Sequence, residues 1–308
     1  MLLVDPATSA GGMAKRHARE ASADGLNPQT VDAVCATHAH PDHVRGVRFF
    51  QALVERAGRV TPPFFAHEAA IPSLVDLSAA KRSVEESMVL RLPNGELWDL
   101  RRELGVPPTG AVLLGFRYLL GKQRPPKDPR GLPDAPTKLP FDRCDVVAVP
   151  TPGHSPDHVT YVVDGDLAIC GDLVSFREHA GKALPLASIN NPASDVDQEL
   201  ASIRRLVDLE PSALLTGHYG AWEGRELVER YLHEAHAMLE AMVDEVRNIV
   251  SSEPGVHTVR SLAARAIRWD QYLAGVKTRE CSTFVVLKKL AAEGFVTPRR
   301  RGKEVVWK

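Results

Sequence analysis

A run of three histidines and one aspartate directly after an apolar segment constrains the fold of this chain more than any other feature. Residues 37–43 read Thr-His-Ala-His-Pro-Asp-His, and the preceding residues 31–36 predict a buried strand. If the backbone stays extended, His38 and His40 point to the same side, because strand side chains alternate with a period of two. Beyond the following proline, the remaining aspartate and histidine can face a second centre. Neutral imidazole and carboxylate are favoured ligands of zinc, iron and manganese, so the segment predicts a metal site at a strand end.

Three further segments place a histidine or an aspartate just past a strand-like stretch. A Pro-Gly-His turn ends at His154, after the predicted strand 144–149. A Gly-Asp pair ends at Asp172, after the predicted strand 166–170, and an apolar run ends in Gly-His at His218. Loops at strand ends carry chemistry on a rigid scaffold. These side chains are therefore the candidates for completing a two-metal site.

The order of these motifs resembles that of the metallo-β-lactamase-fold hydrolases, over roughly the first two thirds of the chain. The resemblance implies an α/β metallo-β-lactamase αββα sandwich and a hydrolase that uses a hydroxide activated by two divalent metal ions. Zinc is the expected metal, with iron or manganese as alternatives. One ion would be held by His38, His40 and His154, and the other by Asp42, His43 and His218. Asp172 would bridge the two ions, and Asp42 and Asp172 would be the catalytic residues.

The start of the chain resembles the first motif of that family, a strand ending in an aspartate that hydrogen-bonds to a ligand. Here Leu3-Val4-Asp5 matches it. The family usually has two or more strands before this motif, whereas Met1 lies inside it. We therefore expect either a sandwich trimmed at one sheet edge or a start site that was assigned late.

The segment between the first histidine cluster and the Pro-Gly-His turn is longer than is typical of the family. We predict a metallo-β-lactamase-like domain over residues 1–222 with an insertion at about 78–139. Candidate helices lie near 81–90, 97–104 and 110–120, and the proline-rich stretch that follows is expected to stay outside any sheet. We favour a lid or substrate wall over a mere surface excursion, because long insertions in compact domains are usually functional.

The pattern changes after His218. Residues 223–308 are predicted to form a helical linker and a winged-helix-like domain, with helices at 223–250, 259–266 and 278–290 before a terminal hairpin. A winged helix also resembles the domain that some members of the family carry in this place. From Lys288 to Lys308, seven Lys and Arg oppose two Glu. The hairpin tip could contact phosphates, or it could be a solvated tip on a domain used for packing or dimerisation.

Side chains near the motifs have weaker signals. In the predicted loop 175–192, substrate contact and a structural role are equally expected for Phe176, Arg177 and His179. His158 is expected to be a hydrogen-bonded structural histidine, and Cys170 is expected to pack within its strand.

Composition excludes several classes of protein. The net charge of −1 gives no global attraction to nucleic acid or to an acidic membrane. Four scattered cysteines form no Cys-x-x-Cys pair and argue against a disulfide framework. No signal peptide and no apolar run of membrane-spanning length is visible. The expected location is the cytoplasm, without a membrane partner, and a homodimer is left open.

Three functions fit this sequence. The leading hypothesis is hydrolysis of a thioester or related ester with a small acyl group, as in hydroxyacylglutathione hydrolases, because the apolar helices of the insertion favour such a substrate. The alternative is an endoribonuclease-like phosphodiesterase that holds RNA through the basic wing. The third is a sulfur dioxygenase with a single iron ion, which shares the first motif.

Overall fold

The computed structural model describes residues 1–9, 12–179, 182–186, 188–218, 220–253, 255–266 and 278–308, and it describes only the backbone of residues 116, 118, 177–179, 182–184, 186 and 278. The first half of the described chain alternates short strands and helices. These elements are β1 (Leu2–Val4), α1 (Met13–Ala23), β2 (Ala33–Cys35), α2 (Pro41–Val44), α3 (Val47–Arg56), β3 (Phe64–His67), α4 (Ile71–Val75), α5 (Leu77–Ser87), β4 (Val89–Arg91), β5 (Leu97–Asp99), α6 (Arg101–Leu104), α7 (Thr109–Leu120), β6 (Pro129–Leu132) and β7 (Thr137–Lys138).

The second half begins with strands and ends with long helices and a hairpin. Its elements are β8 (Val146–Pro150), β9 (Val159–Val163), β10 (Leu167–Gly171), β11 (Ser175–His179), β12 (Lys182–Leu186), α8 (Val196–Asp208), β13 (Ala213–Thr216), β14 (Ala221–Glu223), α9 (Arg225–Ser252), α10 (Val259–Ala263), α11 (Thr278–Ala292), β15 (Pro298–Arg301) and β16 (Glu304–Trp307).

Two sheets form the centre of the molecule. The first has the order β1-β2-β3-β6 and is parallel throughout. The second has the order β14-β13-β10-β9-β8-β7, in which only β10 and β13 run parallel. Side chains of both sheets share one buried core, and the hydroxyl of Tyr161 on β9 donates to the carbonyl of Ala36 beyond β2 at 2.9 Å. The sheets therefore pack face to face.

Helices cover the outer faces of both sheets. Val47 and Val54 of α3 pack with Val34 and Phe64 of the first sheet. On the other side, α8 and α9 pack on β10 and β13, through buried residues that include Ile203. This gives four layers, helix–sheet–sheet–helix, and it confirms the predicted α/β class. Among the described residues, no helix combines the length and the apolarity that a membrane crossing requires.

The helix after the histidine cluster is interrupted, whereas the periodicity predicts a continuous one from Val44. The turn α2 ends before Gly46, and α3 begins at Val47. A Cβ at Gly46 would lie 2.0 Å from the carbonyl oxygen of Pro6. The break therefore lets the chain after β1 pass close to the histidine turn.

The prediction of a helix over 97–104 is wrong. Residues Val89–Arg91 and Leu97–Asp99 form an antiparallel hairpin, and only the single turn α6 follows. The reason is the turn sequence Pro-Asn-Gly at 93–95, where the side chain of Asn94 accepts a hydrogen bond from the amide of Glu96. The predicted helices α5 and α7 do form.

The prediction that the proline-rich stretch stays outside the sheets is also wrong. Strand β6 pairs with β3 at the edge of the first sheet, and β7 pairs with β8 at the edge of the second. Proline is tolerated at the start of an edge strand, where its missing N–H removes no hydrogen bond from the ladder. Residues 129–138 therefore belong to the sandwich.

The C-terminal helices and hairpin form at the predicted places. Buried residues of α9, α10, α11 and the hairpin share one hydrophobic core with residues of the 88–104 segment and of α8. Glu103, in α6, accepts a hydrogen bond from the amide of Val305 at 3.2 Å. The insertion and the C-terminal region therefore pack against each other. The assignment of a winged helix stays a prediction.

Candidate metal centre

The topology gathers the candidate ligands at one end of the sandwich. In the first sheet, β1 and β2 are parallel. In the second sheet, β8, β10 and β13 point the same way, because β8 and β10 are both antiparallel to β9, and β13 is parallel to β10. Each of these strands ends just before a candidate side chain. These side chains are Asp5, the histidines of 38–43, His154, Asp172 and His218.

The first group of ligand atoms consists of three imidazole nitrogens. Nε2 of His38 lies 2.8 Å from Nδ1 of His40, and that Nδ1 lies 3.0 Å from Nε2 of His154. His38 and His154 are buried, whereas His40 is half-buried. The three side chains come from two loops and converge on one point.

The second group combines one carboxylate with two imidazoles. The ligand atoms of Asp42, His43 and His218 all lie within 4.8 Å of one another. Nε2 of His218 is 3.4 Å from Oδ2 of Asp42. His43 is buried, but the side chain of His218 is 41% exposed, so this group lies on the solvent-facing side of the centre.

Asp172 lies between the two groups. Its Oδ2 is 3.5 Å from Nε2 of both His43 and His218, and 3.8 Å from Nε2 of His154. It also forms a cluster with His38 and His43. One carboxylate therefore contacts members of both sets, as the predicted bridging position requires.

Hydrogen bonds from Asp5 orient His43. Oδ2 of Asp5 accepts from Nδ1 of His43 at 2.9 Å and from the hydroxyl of Thr37 at 2.7 Å, while Oδ1 accepts from the amide of Thr37 at 2.7 Å. A proton held on Nδ1 leaves the lone pair of His43 on Nε2, which faces Asp172. The predicted hydrogen bond between Asp5 and a candidate ligand is therefore present, with His43 as its partner.

Neighbouring oxygens orient two other histidines in the same way. Nδ1 of His154 donates to the carbonyl of Ser188 at 2.6 Å. The hydroxyl of Thr37 lies 3.0 Å from Nδ1 of His38, and because it donates its own proton to Asp5, it accepts one from His38. Both histidines therefore turn Nε2 toward the centre with its lone pair available.

Gly217 allows the chain before His218 to lie against the centre. A Cβ at this position would be 2.4 Å from Oδ1 of Asp172 and 2.7 Å from Cε1 of His43. The amide of Gly217 also donates to the carbonyl of Gly171 at 2.7 Å, which joins the two ligand loops. Any side chain here would push at least one candidate ligand out of place.

Burial and charge divide the histidines into two kinds. Burial and the neighbouring histidines lower the pKa of His38 far below its usual value, and burial together with His40 lowers the pKa of His154 to about 4. Hydrogen bonds to Asp172 and Asp42 raise the pKa of His218 to about 10. Thus, without a cation, His38 and His154 are held as neutral imidazoles, whereas His218 is held protonated.

The carboxylates keep their charge despite burial. Burial alone would raise the pKa of Asp172, but His43 and His218 outweigh it and hold the pKa well below the usual value. Burial would likewise raise the pKa of Asp42, and the hydrogen bond from His218 outweighs it. For His43, burial favours the neutral ring, but Asp5 and Asp172 hold its pKa well above normal. The centre therefore concentrates negative charge where a cation would sit.

The residues present fit divalent metal ions. Nε2 of His43 and Oδ1 of Asp172 are buried without a hydrogen-bond partner among the described residues. Such orphaned atoms are costly unless a ligand satisfies them. The donors are imidazole nitrogens and carboxylate oxygens, which suit zinc, iron or manganese. All seven predicted ligands lie in this one cluster.

The weaker predictions fared differently. Phe176 does not face a substrate site, because it is buried against Trp222 and Tyr231. The side chains of Arg177 and His179 lie outside the described residues. Cys170 packs in its strand as predicted, and all four cysteines are free. The ring of His158 is buried and bonds the hydroxyl of Thr151, whereas the backbone was the expected partner.

Sequence reasoning missed residues that support the ligands. Asp157 accepts a hydrogen bond from the amide of Ala39 at 2.9 Å and so joins the two histidine turns. Thr37 connects Asp5 to His38. Both residues lie inside a histidine motif, and this position could have marked them as candidates. The sequence does not indicate which groups they would hydrogen-bond.

Comparison with known proteins supports the fold. The family model of the metallo-beta-lactamase superfamily matches residues 2–55. A metallo-beta-lactamase family protein from Thermus thermophilus has 20% identity and a TM-score of 0.69, over 99% of this chain and 88% of that one. A beta-lactamase domain protein from Burkholderia ambifaria has 17% identity and a TM-score of 0.68, over 99% of this chain and 81% of that one. No curated protein matches this chain. The chain therefore has the metallo-β-lactamase fold.

Proposed function

We propose that this chain is a metallo-hydrolase of the metallo-β-lactamase superfamily that binds two divalent ions and cleaves a thioester or a related ester. One observation carries the proposal. Two groups of ligand atoms lie side by side at the strand ends, and Asp172 contacts members of both groups. A structural metal site would not need so many donors beside an open face.

Divalent ions in such a site supply Lewis acidity, which brings the pKa of water toward neutrality and polarises a carbonyl oxygen. The chain's own residues do the rest. His38, His40 and His154 would hold one ion, while Asp42, His43 and His218 would hold the other, with Asp172 between them. Oδ2 of Asp42, half-buried on the open side, is the proposed acceptor of the proton that hydrolysis releases.

The exposure of the ligands gives the direction of substrate approach. His38, His43 and His154 are buried, whereas Asp42 and His218 are partly exposed. Because His40 is half-buried as well, we propose that a substrate arrives where His40, Asp42 and His218 reach the surface. The hydrogen bonds of Asp5 and Ser188 hold the buried imidazoles still during this approach.

Helix α7 of the insertion is tied to elements that carry candidate ligands and has exposed apolar side chains, which supports an acyl substrate. The hydroxyl of Thr8 donates to the carbonyl of Leu120, and the guanidinium of Arg45 donates to that of Gly121. Helix α7 is thereby tied to both the Asp5 loop and the histidine turn. Leu114 and Leu119 of α7 are 65% and 57% exposed. We propose that this helix is a substrate wall for an acyl group.

The test of the proposal uses purified protein loaded with Zn²⁺, Mn²⁺ or Fe²⁺ and a panel of thioesters, esters, lactones and phosphodiesters. We expect close to two ions per chain and turnover of a thioester. Asp172→Ala and His40→Ala should each lower kcat/KM by a factor of at least about 1,000, because they remove a ligand from the reacting centre. His233→Ala is the matched control, since His233 is an exposed histidine of α9 that pairs with Glu229.

Persistent activity in the Asp172→Ala protein would contradict the proposed site. For the substrate wall, Leu119→Ser should raise KM for a thioester with a long acyl chain by roughly 10-fold, the value of one apolar contact in a pocket. Leu209→Ser is the control, because Leu209 is also exposed but ends helix α8. Equal effects of the two changes would argue against the wall.

RNA cleavage is the second candidate, and the hairpin tip favours it. Arg299, Arg301 and Lys303 are exposed on β15 and its turn and could contact phosphates. If RNA is the substrate, Arg299→Glu with Arg301→Glu should abolish cleavage of single-stranded RNA and spare thioester turnover. The sulfur dioxygenase hypothesis requires one iron ion, and the second ligand group argues against it. Oxygen uptake by the Fe²⁺ protein would restore that hypothesis.

A further inference from the structure

One lysine of the C-terminal region holds the loop that surrounds the candidate ligand His154. Lys288 lies on α11, and its ammonium donates to the carbonyl of Pro192 at 2.9 Å and to that of Ser194 at 3.1 Å. Both carbonyls belong to the segment 188–194, which runs from β12 to α8. The side chain of Lys288 is half-buried, so its two charge-assisted hydrogen bonds are partly shielded from water.

The same loop also forms hydrogen bonds with His154. The carbonyl of Ser188 accepts from Nδ1 of His154 at 2.6 Å. The carbonyl of His154 accepts from Nδ2 of Asn191 at 2.7 Å and from the hydroxyl of Ser194 at 2.8 Å. Loop 188–194 therefore fixes both the ring and the backbone of this candidate ligand.

Lys288 and His154 both form hydrogen bonds with the loop, and an apolar contact also links the loop to α11. Ile189 is fully buried, and it lies in the same hydrophobic core as Phe284 and Leu287 of α11. The residue before Ile189 is the one that orients the ring of His154. The segment 188–194 thus contacts both α11 and the candidate ligand His154.

We propose that Lys288 is a positioning residue of the metal centre, acting through loop 188–194 on His154. This inference rests on the proposed function, because it needs a metal at the centre. Lys288 does not touch the site. It neutralises the two carbonyl dipoles and keeps the carbonyl of Ser188 aimed at Nδ1 of His154. Loss of the ammonium would loosen the geometry of one metal ion and not of the other.

The test compares Lys288→Met with Lys289→Met. Lys289 is the next residue of the same helix, but it pairs with Asp197 and Glu293 and makes none of the loop bonds. The metal-free full chain is titrated with Co²⁺, and the visible absorption of the bound ion reports its geometry. We expect Lys288→Met to weaken one of the two Co²⁺ sites by about 10-fold, the low end for residues that orient a ligand, and to alter its band. Lys289→Met should bind as wild type does.

A second measurement asks whether the effect passes through the loop. Asn191→Ala removes the bond to the carbonyl of His154, so in that background Lys288→Met should cost less Co²⁺ affinity than in the wild type. Additive losses would overturn the route through the loop. Lys288→Gln is measured in parallel, because it keeps a polar group at this half-buried position if the Met variant fails to fold. Its expected loss of Co²⁺ affinity is smaller than that of the Met variant.

The outcomes separate this inference from the proposed function. If wild type binds two Co²⁺ ions and both Lys288 variants bind them with the same affinity and spectrum, the inference is wrong and the metal centre stands. If wild type hydrolyses no ester but Lys288→Met weakens one of its two Co²⁺ sites as expected, the substrate proposal fails and the inference stands. If wild type binds no Co²⁺, both are wrong.

Discussion

The metal centre and the terminal hairpin β15–β16 both gather charged side chains, but they hold them in opposite ways. At the centre, His43 and Asp172 are buried, and a second hydrogen bond fixes each of the buried imidazoles of His38, His43 and His154. At the hairpin, Arg299 and Arg301 are exposed, and Arg300 pairs with Glu96 while lying 5.2 Å from the ring centre of Trp98.

The difference shows where single atoms matter. A buried polar atom has no water to replace a lost partner, so its neighbours must be correct to a few tenths of an ångström. An exposed charge exchanges its partner for water at little cost. We therefore expect substitutions at the centre to have large effects and those at the hairpin to have small ones.

Among changes that keep every candidate ligand, the largest expected effect comes from adding one carbon atom at the centre. In Gly217→Ala, the new Cβ would lie 2.4 Å from Oδ1 of Asp172, so the carboxylate or the loop must move. We expect kcat/KM to fall by at least about 100-fold, as displacements near 1 Å do. Steady-state kinetics and metal content measure this. Gly255→Ala is the control, because its Cβ would meet only an ordinary contact at 3.9 Å. Wild-type activity in Gly217→Ala would contradict the claim that atoms at the buried centre must be placed accurately.

A smaller effect is expected from a residue that hydrogen-bonds to a candidate ligand. Asp5→Asn places an amide where His43 and Thr37 both require an acceptor. The amide nitrogen would favour the wrong tautomer of His43. Metal affinity should fall by roughly 10- to 100-fold, as measured by competition with a chelator. Asp32→Asn is the control, since Asp32 is half-exposed and pairs with Arg59. Equal metal affinities of the two variants would contradict the role of Asp5.

A third prediction concerns a buried carboxyl group that is not a candidate metal ligand. Glu199 is 2% exposed, and its Oε2 has no partner among the described residues. Burial, with the charges of Asp172 and Asp195, raises its pKa well above the usual value. The native state then holds a proton that the unfolded chain releases above about pH 4.5. The free energy of unfolding therefore falls as pH rises from there toward the native pKa.

Glu199→Gln removes this dependence. We expect the Tm of Glu199→Gln to exceed that of wild type at pH 8.5 and the difference to shrink at pH 5.5. Thermal unfolding followed by circular dichroism measures both. Glu226→Gln is the control, because Glu226 is exposed in the first turn of α9. A difference in Tm that does not change with pH would show that Glu199 is not protonated in the native state.

The smallest effect is expected at the hairpin. Arg300→Ala removes one ion pair with Glu96, in which the arginine side chain is 52% exposed. Exposed pairs contribute about 0 to 1 kcal/mol, and the contact with Trp98 adds about 0.5 kcal/mol. A double-mutant cycle with Glu96→Ala under urea unfolding measures the coupling. A coupling energy between Arg300 and Glu96 above about 2 kcal/mol would contradict the expectation that exposed charges of the hairpin matter less than buried ones at the centre.

The candidate ligands that converge at the centre could be recognised in the sequence because they are local. His38, His40, Asp42 and His43 lie in one heptapeptide, and the remaining three each end a recognisable strand. The supports could not be predicted in the same way. Ser188 and Lys288 reach His154 only through contacts between distant parts of the chain. The hairpin at 89–99 was missed because a helical period outweighed a turn signal.

The parallel pairing of β3 with β6 has a consequence for how this molecule could diversify. These strands are neighbours in the first sheet, yet everything from α4 to α7 lies between them in sequence. The entropy lost on joining two ends grows only logarithmically with the length between them, by about 0.6 kcal/mol per doubling. Changes of length in the exposed parts of that excursion would therefore cost little loop-closure entropy, whereas its buried residues Leu100 and Leu104 pack in the core of the C-terminal region and are less free to change. Sequence drift in the exposed parts can thus reshape the surface beside the candidate ligands without altering the strands that carry them.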